Sequence, residues 1–167
     1  VKPSSRRILS ANKVASQDAG TVEYDLRLPD GLGLGRLREL SVLAELASKA
    51  GDEKLDWPER KKAGDYPQTD GKKWPTNVVI SVNGQKVGSV LLADDPADAR
   101  GALSHDRGLQ GSYGYLVRQT VTGADLSGII ENVGPQRILR IRFEVPADAS
   151  HPGGLGVFGA LAGCYPL

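Results

Sequence analysis

Carboxylates, guanidinium groups, an imidazole and two phenols crowd into the stretch "DDPADARGALSHDRGLQGSYGYL" (94–116). Two facing carboxylates are what a glycosidase needs, one to protonate the leaving oxygen and one to attack or to activate water. Asp94, Asp95 and Asp98 share one loop, so any two of them can approach. The same acids serve simpler ends. Asp94, with Asp95-Pro96 after it, ends a strand and caps the turn of "PADARG". Their oxygens also suit a structural Ca²⁺, without the spacing of an EF-hand. Capping ranks first, contact with a sugar or metal second, and catalysis last. Arg100 and Arg107 offer planar donor forks that match pairs of sugar hydroxyls, or that tie Arg100 to Asp98 or Asp95 within the loop. His105 can donate to a hydroxyl or simply be solvated. Tyr113 and Tyr115 are two residues apart on a strand and so share a face. Facing inward they are core, and facing outward they form a platform for a sugar ring.

A second set lies upstream. The polar stretch "GDEKLDWPERKKAGDYPQTDGKKWP" carries Trp57, Tyr66 and Trp74 among three prolines. Connections this long are usually functional or disordered, and three large aromatics argue against a merely solvated tail. Their ring faces suit the CH surface of a sugar, although Trp74, next to Pro75 and a following strand, also suits plugging the end of a core. Other chemistries lack motifs. There is no GxGxxG after a strand, no GxxxxGK[ST] and no GxSxG elbow. His105 and His151 are far apart in sequence, with no paired-histidine spacing for a catalytic metal.

These residues need elements to position them, and the elements read as short strands. "TVEYDLRLP" (21–29) alternates, with Val22, Tyr24, Leu26 and Leu28 on one face and Glu23, Asp25 and Arg27 on the other. "VVISVNGQKVGSVLL" (78–92) sets two apolar runs around Asn83-Gly84, a pair that tolerates the positive φ angles of a type I′ hairpin turn. "YGYLVRQTV" (113–121), "ILRIRFEVP" (138–146) and "GLGVFGAL" (154–161) also read as strands. "GRLRELSVLAELASKAG" (35–51) is ambiguous: its leucines follow helical spacing, while Leu40, Val42, Ala44 and Leu46 alternate. A sheet-rich neighbourhood favours a helical turn at 33–37 followed by a strand at 39–47. "GADLSGIIE" (123–131) reads as a second short helical turn.

Bulk properties set outer bounds. The 167 residues suffice for one domain with one sizeable core. With Val1 at the start, they read as a single domain, 1–167, excised from a larger multidomain protein. The net charge of +1 gives no electrostatic footprint for nucleic acid or an anionic membrane, and no apolar run is long enough to span a bilayer. One cysteine, Cys164, excludes an intrachain disulfide. Glycine at 21 and proline at 10 leave room for turns and little for long helices. Seven or eight short strands with long loops and little helix define an all-β fold class, a two-sheet β-sandwich of jelly-roll type.

A resemblance sharpens this reading. "LDWPERKKAGDYPQTDGKKWPTNVVISVNGQKVGSVLLADDPADARGALSH", "GSYGYLV", "HPGGLGVFG" and the closing "YPL" resemble the accessory β-sandwich of bacterial glycoside hydrolase family 2 proteins, a sugar-binding, galactose-binding-like jelly roll. A more distant likeness links the set to the C-terminal domain of some winged-helix regulators, whose tandem tryptophan is replaced here by Ser104-His105. Asp98, Arg100, Gly101, Tyr113, Gly114, His151, Gly153 and Gly154 match the shared pattern. The resemblance implies a carbohydrate-related setting and a catalytic glycosidase domain in cis, with export from a bacterial cell to the periplasm or medium. The expectation is a non-catalytic carbohydrate-binding module. Its ligand set is Trp57, Tyr66, Trp74, Asp98, Arg100, His105, Tyr113 and Tyr115, with no cofactor beyond a structural Ca²⁺ at the acidic loop. The alternative is a sandwich that buttresses a glycosidase barrel without a ligand of its own.

Overall fold

The computed structural model describes residues 7–8, 19–48, 75–93, 114–151 and 153–158. They form eight strands: β1 (Arg7–Ile8), β2 (Gly20–Arg27), β3 (Glu39–Ala47), β4 (Thr76–Val82), β5 (Gln85–Leu92), β6 (Tyr115–Thr122), β7 (Ile138–Val145) and β8 (Gly156–Phe158). A short 3-10 turn, Leu34–Arg36, lies between β2 and β3, and one helix, α1 (Gly123–Glu131), between β6 and β7. The fold is therefore mostly β, with two antiparallel four-stranded sheets. One has the order β1-β8-β3-β6 and the other β2-β7-β4-β5.

The two sheets share one core because every long strand alternates. Val42 and Leu46 of β3, Val117 and Val121 of β6, and Val157 of β8 meet Val78, Ile80 and Val82 of β4, Leu92 of β5, and Leu139, Phe143 and Val145 of β7. A period of two places alternate side chains on one face, so the first sheet cannot bury its apolar set without a second sheet opposite. Leu126 and Ile129 of α1 close one end of this core. Tyr24 meets Phe143 edge to face, with ring centroids 6.2 Å apart.

The expected strands fall close to where the alternation places them, and the ambiguous segment resolves as a strand at Glu39–Ala47. Its leucines have helical spacing, but β3 is hydrogen-bonded on both sides, to β6 along eight residue pairs from Glu39↔Thr122 to Leu46↔Tyr115 and to β8 at its C-terminal end. Central pairing satisfies its backbone and lets the alternate set Val42, Ala44 and Leu46 face the core. The Asn83-Gly84 hairpin turn is present, with φ of 47° and 83°. The segment read as a second short turn is a nine-residue helix, which begins at Gly123 in the left-handed region at φ 59°. The two-residue strand β1 has no counterpart in the alternation pattern.

Candidate functional site

Strand ends define a rim. In one sheet Leu46 pairs with Tyr115 and Ala47 with Gly156; in the other, Thr76 pairs with Leu92 and Gly20 with Val145. Two bonds hold these ends together. The buried Thr76 hydroxyl donates to the Ser48 carbonyl at 3.4 Å, and the Gly153 amide donates to the Pro75 carbonyl at 2.9 Å. The chain leaves the described framework at Ser48 and re-enters at Pro75; it leaves again at Ala93 and re-enters at Gly114. All four points belong to this rim. Trp57, Tyr66 and Trp74 belong to the first connection and Asp98, Arg100, His105 and Tyr113 to the second, and all seven lie outside the described residues, as do the acids expected to suit Ca²⁺.

Tyr115 is the one candidate within the framework. It shares its parity with the buried Val117 and Val121, so it is on the inward face of β6, half-buried and packed against the core. That is the core position of the two that the spacing of Tyr113 and Tyr115 allows.

Beside the rim, the turn after β7 carries a cluster that spacing alone did not single out. Asp148 accepts from the Ser150 amide at 2.9 Å and the Ser150 hydroxyl at 2.7 Å, and its other oxygen meets His151 Nδ1 at 2.5 Å. The His151 contact, then the Ser150 bonds, hold the Asp148 carboxyl down to a pKa of about 2. An Asp two residues before a Ser is a legible turn signal. The cluster fixes the course of the chain into Gly153, which is bonded to Pro75.

The outer face of the second sheet carries a charged ladder. Arg140 grips Asp25 with two parallel bonds, Nε to Oδ1 at 2.7 Å and Nη2 to Oδ2 at 2.8 Å. Arg142 reaches Glu144 at 3.1 Å and lies 4.0 Å from Glu23. The Arg140 fork lowers the pKa of Asp25, and the carboxylate in turn raises that of Arg140. The alternation in the sequence placed these residues on outward faces; their cross-strand pairing needed the register of β2 against β7. No group of three or more metal-ligating side chains occurs among the described residues, and no described helix is long and apolar enough to cross a membrane.

No known family model, no curated protein and no solved structure matches the chain. The class is thus defined by its own architecture, a mostly β domain of two facing antiparallel sheets.

Proposed function

We propose that the chain is a non-catalytic carbohydrate-binding module on a jelly-roll scaffold, associated with a glycoside hydrolase domain and exported from the cell. It binds sugar through Trp57, Tyr66 and Trp74, with Asp98, Arg100, His105 and Tyr113 as the polar and aromatic surround, Tyr115 being a core residue. The strand orders β1-β8-β3-β6 and β2-β7-β4-β5 support the scaffold. Apart from the β4–β5 hairpin, neighbours in each sheet are distant in sequence, as two nested Greek keys require. The observation that carries the sugar reading is the shared rim: both connections holding the aromatic and polar candidates begin and end there. The ends of two connections far apart in sequence thereby meet along one edge of the sandwich. Stacking plus a few hydroxyl contacts gives modest affinity, on the order of 10⁻⁴ to 10⁻³ M, roughly 4–5 kcal/mol.

Affinity gels and a glycan array test this. The chain is retained by at least one polysaccharide, and Trp57→Ala, Tyr66→Ala or Trp74→Ala weakens retention while circular dichroism is unchanged. A folded chain retained by no polysaccharide overturns the reading. Glycan hydrolysis by the chain itself, lost in Asp98→Asn, would make it an enzyme instead. Calcium at the acidic loop is tested by melting with and without EDTA: an unmoved midpoint removes it, since a ion bound only by the native state raises stability.

A second reading, a buttress packed on a catalytic domain, is favoured by one observation. Leu43 and Leu116 are 60 % and 47 % exposed on the outward face of the neighbouring strands β3 and β6, in diagonal register. Under it, Leu43→Glu abolishes association with the catalytic domain and leaves polysaccharide retention absent in the parent chain as well.

A further inference from the structure

Away from the rim, a groove of about 700 Å³ opens where the Asn83-Gly84 turn and the loop between α1 and β7 overhang the outer face of β2 and β7. Its floor is the charged end of the ladder, Glu23, Arg140 and Arg142, and its wall includes Pro135, Gln136 and Ile138. The volume is that of a site for a small molecule or a short oligomer.

The chemistry of the lining selects the ligand. The ladder sets two arginines against three carboxylates, Glu23, Asp25 and Glu144, all within 4.0 Å of a guanidinium. There is no excess positive charge to draw an anion, so phosphate or a uronate gains little here. Hydrogen-bonding capacity nevertheless remains. Arg140 spends two of its five N–H groups on Asp25. Arg142 meets Glu144 through Nη2 at 3.1 Å, while its Nη1 lies 4.0 Å from Glu23, beyond hydrogen-bond distance, so the Nη1 protons remain for a ligand oxygen. Guanidinium donors alternating with carboxylate acceptors match a group that both donates and accepts, which is a hydroxyl. Pro135 and Ile138 supply an apolar flank for a CH surface.

We propose that this groove binds a neutral, hydroxyl-rich segment of a glycan, as a site separate from the rim. Arg142 and Gln136 hold hydroxyl oxygens, Glu23 accepts hydroxyl protons, and Pro135 and Ile138 lie against the ring. The site stands on its own lining and does not depend on the rim aromatics, so either can fail alone.

The test is backbone-amide NMR titration of the whole chain with neutral hexasaccharides of β-1,4-linked glucose, xylose, mannose and galactose, and with oligogalacturonate as the anionic probe. At least one neutral hexasaccharide at millimolar concentration shifts the amides of 83–84 and 132–142, and oligogalacturonate does not. Gln136→Ala and Arg142→Met each weaken that response at least tenfold with the spectrum otherwise native. The triple Trp57→Ala, Tyr66→Ala, Trp74→Ala variant leaves it in place. Absence of groove shifts with all four neutral probes overturns the proposal, as does stronger binding of oligogalacturonate or a response indifferent to both groove substitutions. Loss of rim binding with groove shifts retained would instead strike only the aromatic reading.

Discussion

Arg137 shows how much one side chain can hold. Its backbone sits at φ 55°, a left-handed conformation that costs an L-residue about 1–2 kcal/mol, and its guanidinium donates to the Pro29 carbonyl at 2.9 Å and the Leu32 carbonyl at 2.7 Å. The loop after α1 is thereby stitched to the turn between β2 and β3. Arg137→Ala keeps the strain and loses both bonds, a cost of about 2–3 kcal/mol in urea unfolding; Arg137→Gly loses the bonds but relieves the strain, and falls about 1 kcal/mol less. The Asp148 cluster gives a pH signature. Its pKa of about 2 lies below the ordinary 3.8, so its bonds stabilise the fold fully above the ordinary value and lose that effect as pH falls through about 2. Asp148→Asn accordingly melts below the wild type at neutral pH, and the two melting curves converge as pH falls from 3.8 to about 2.

Strands depend on partners that lie outside their own sequence. The Asn83-Gly84 turn closes β4 on β5, but the Asn83 side chain also donates to the Ile129 carbonyl at 3.2 Å and accepts from the Arg140 amide at 2.8 Å. One asparagine thus joins a hairpin, the end of a helix and a neighbouring strand. Asn83→Gly keeps the positive φ and loses both bonds, so it lowers stability by about 1–2 kcal/mol with the hairpin retained. Across the open side of the sandwich, Gly88 of β5 leaves room for the Gln119 side chain of β6, whose amide occupies the place a Cβ would take. Gly88→Ala pushes aside only the amide at the tip of the flexible Gln119 side chain, so its net cost stays below about 1 kcal/mol. The penalty shrinks in a Gln119→Ala background, which a double-mutant cycle measures directly.

At the scale of the molecule, stability belongs to both sheets at once. Leu46 of one sheet and Ile80 of the other are fully buried in the same cluster. Leu46→Ala and Ile80→Ala each cost about 2–5 kcal/mol through lost transfer energy and the cavity left behind. Because neither sheet keeps a core without the other, both variants unfold in a single transition, with fluorescence and far-ultraviolet circular dichroism coincident in denaturant.

Much of this was legible in the chain. Patterning in 21–29, 78–92, 113–121 and 138–146 marked the five strands β2, β4, β5, β6 and β7, and Asn83-Gly84 marked the hairpin, because side-chain parity and positive φ are local properties. Residues 35–51 were not decided locally: leucine spacing permits a helix, and only pairing to β6 and β8 makes Glu39–Ala47 a strand. The inward position of Tyr115, the Arg140–Asp25 grip, the seat of Gln119 against Gly88 and the groove over β7 were likewise set by register and sheet order. Those features join residues as much as 115 positions apart. A sequence fixes which face each side chain takes along its own strand; which strand lies beside it is chosen by the free energy of the whole core, and only there do the partners meet.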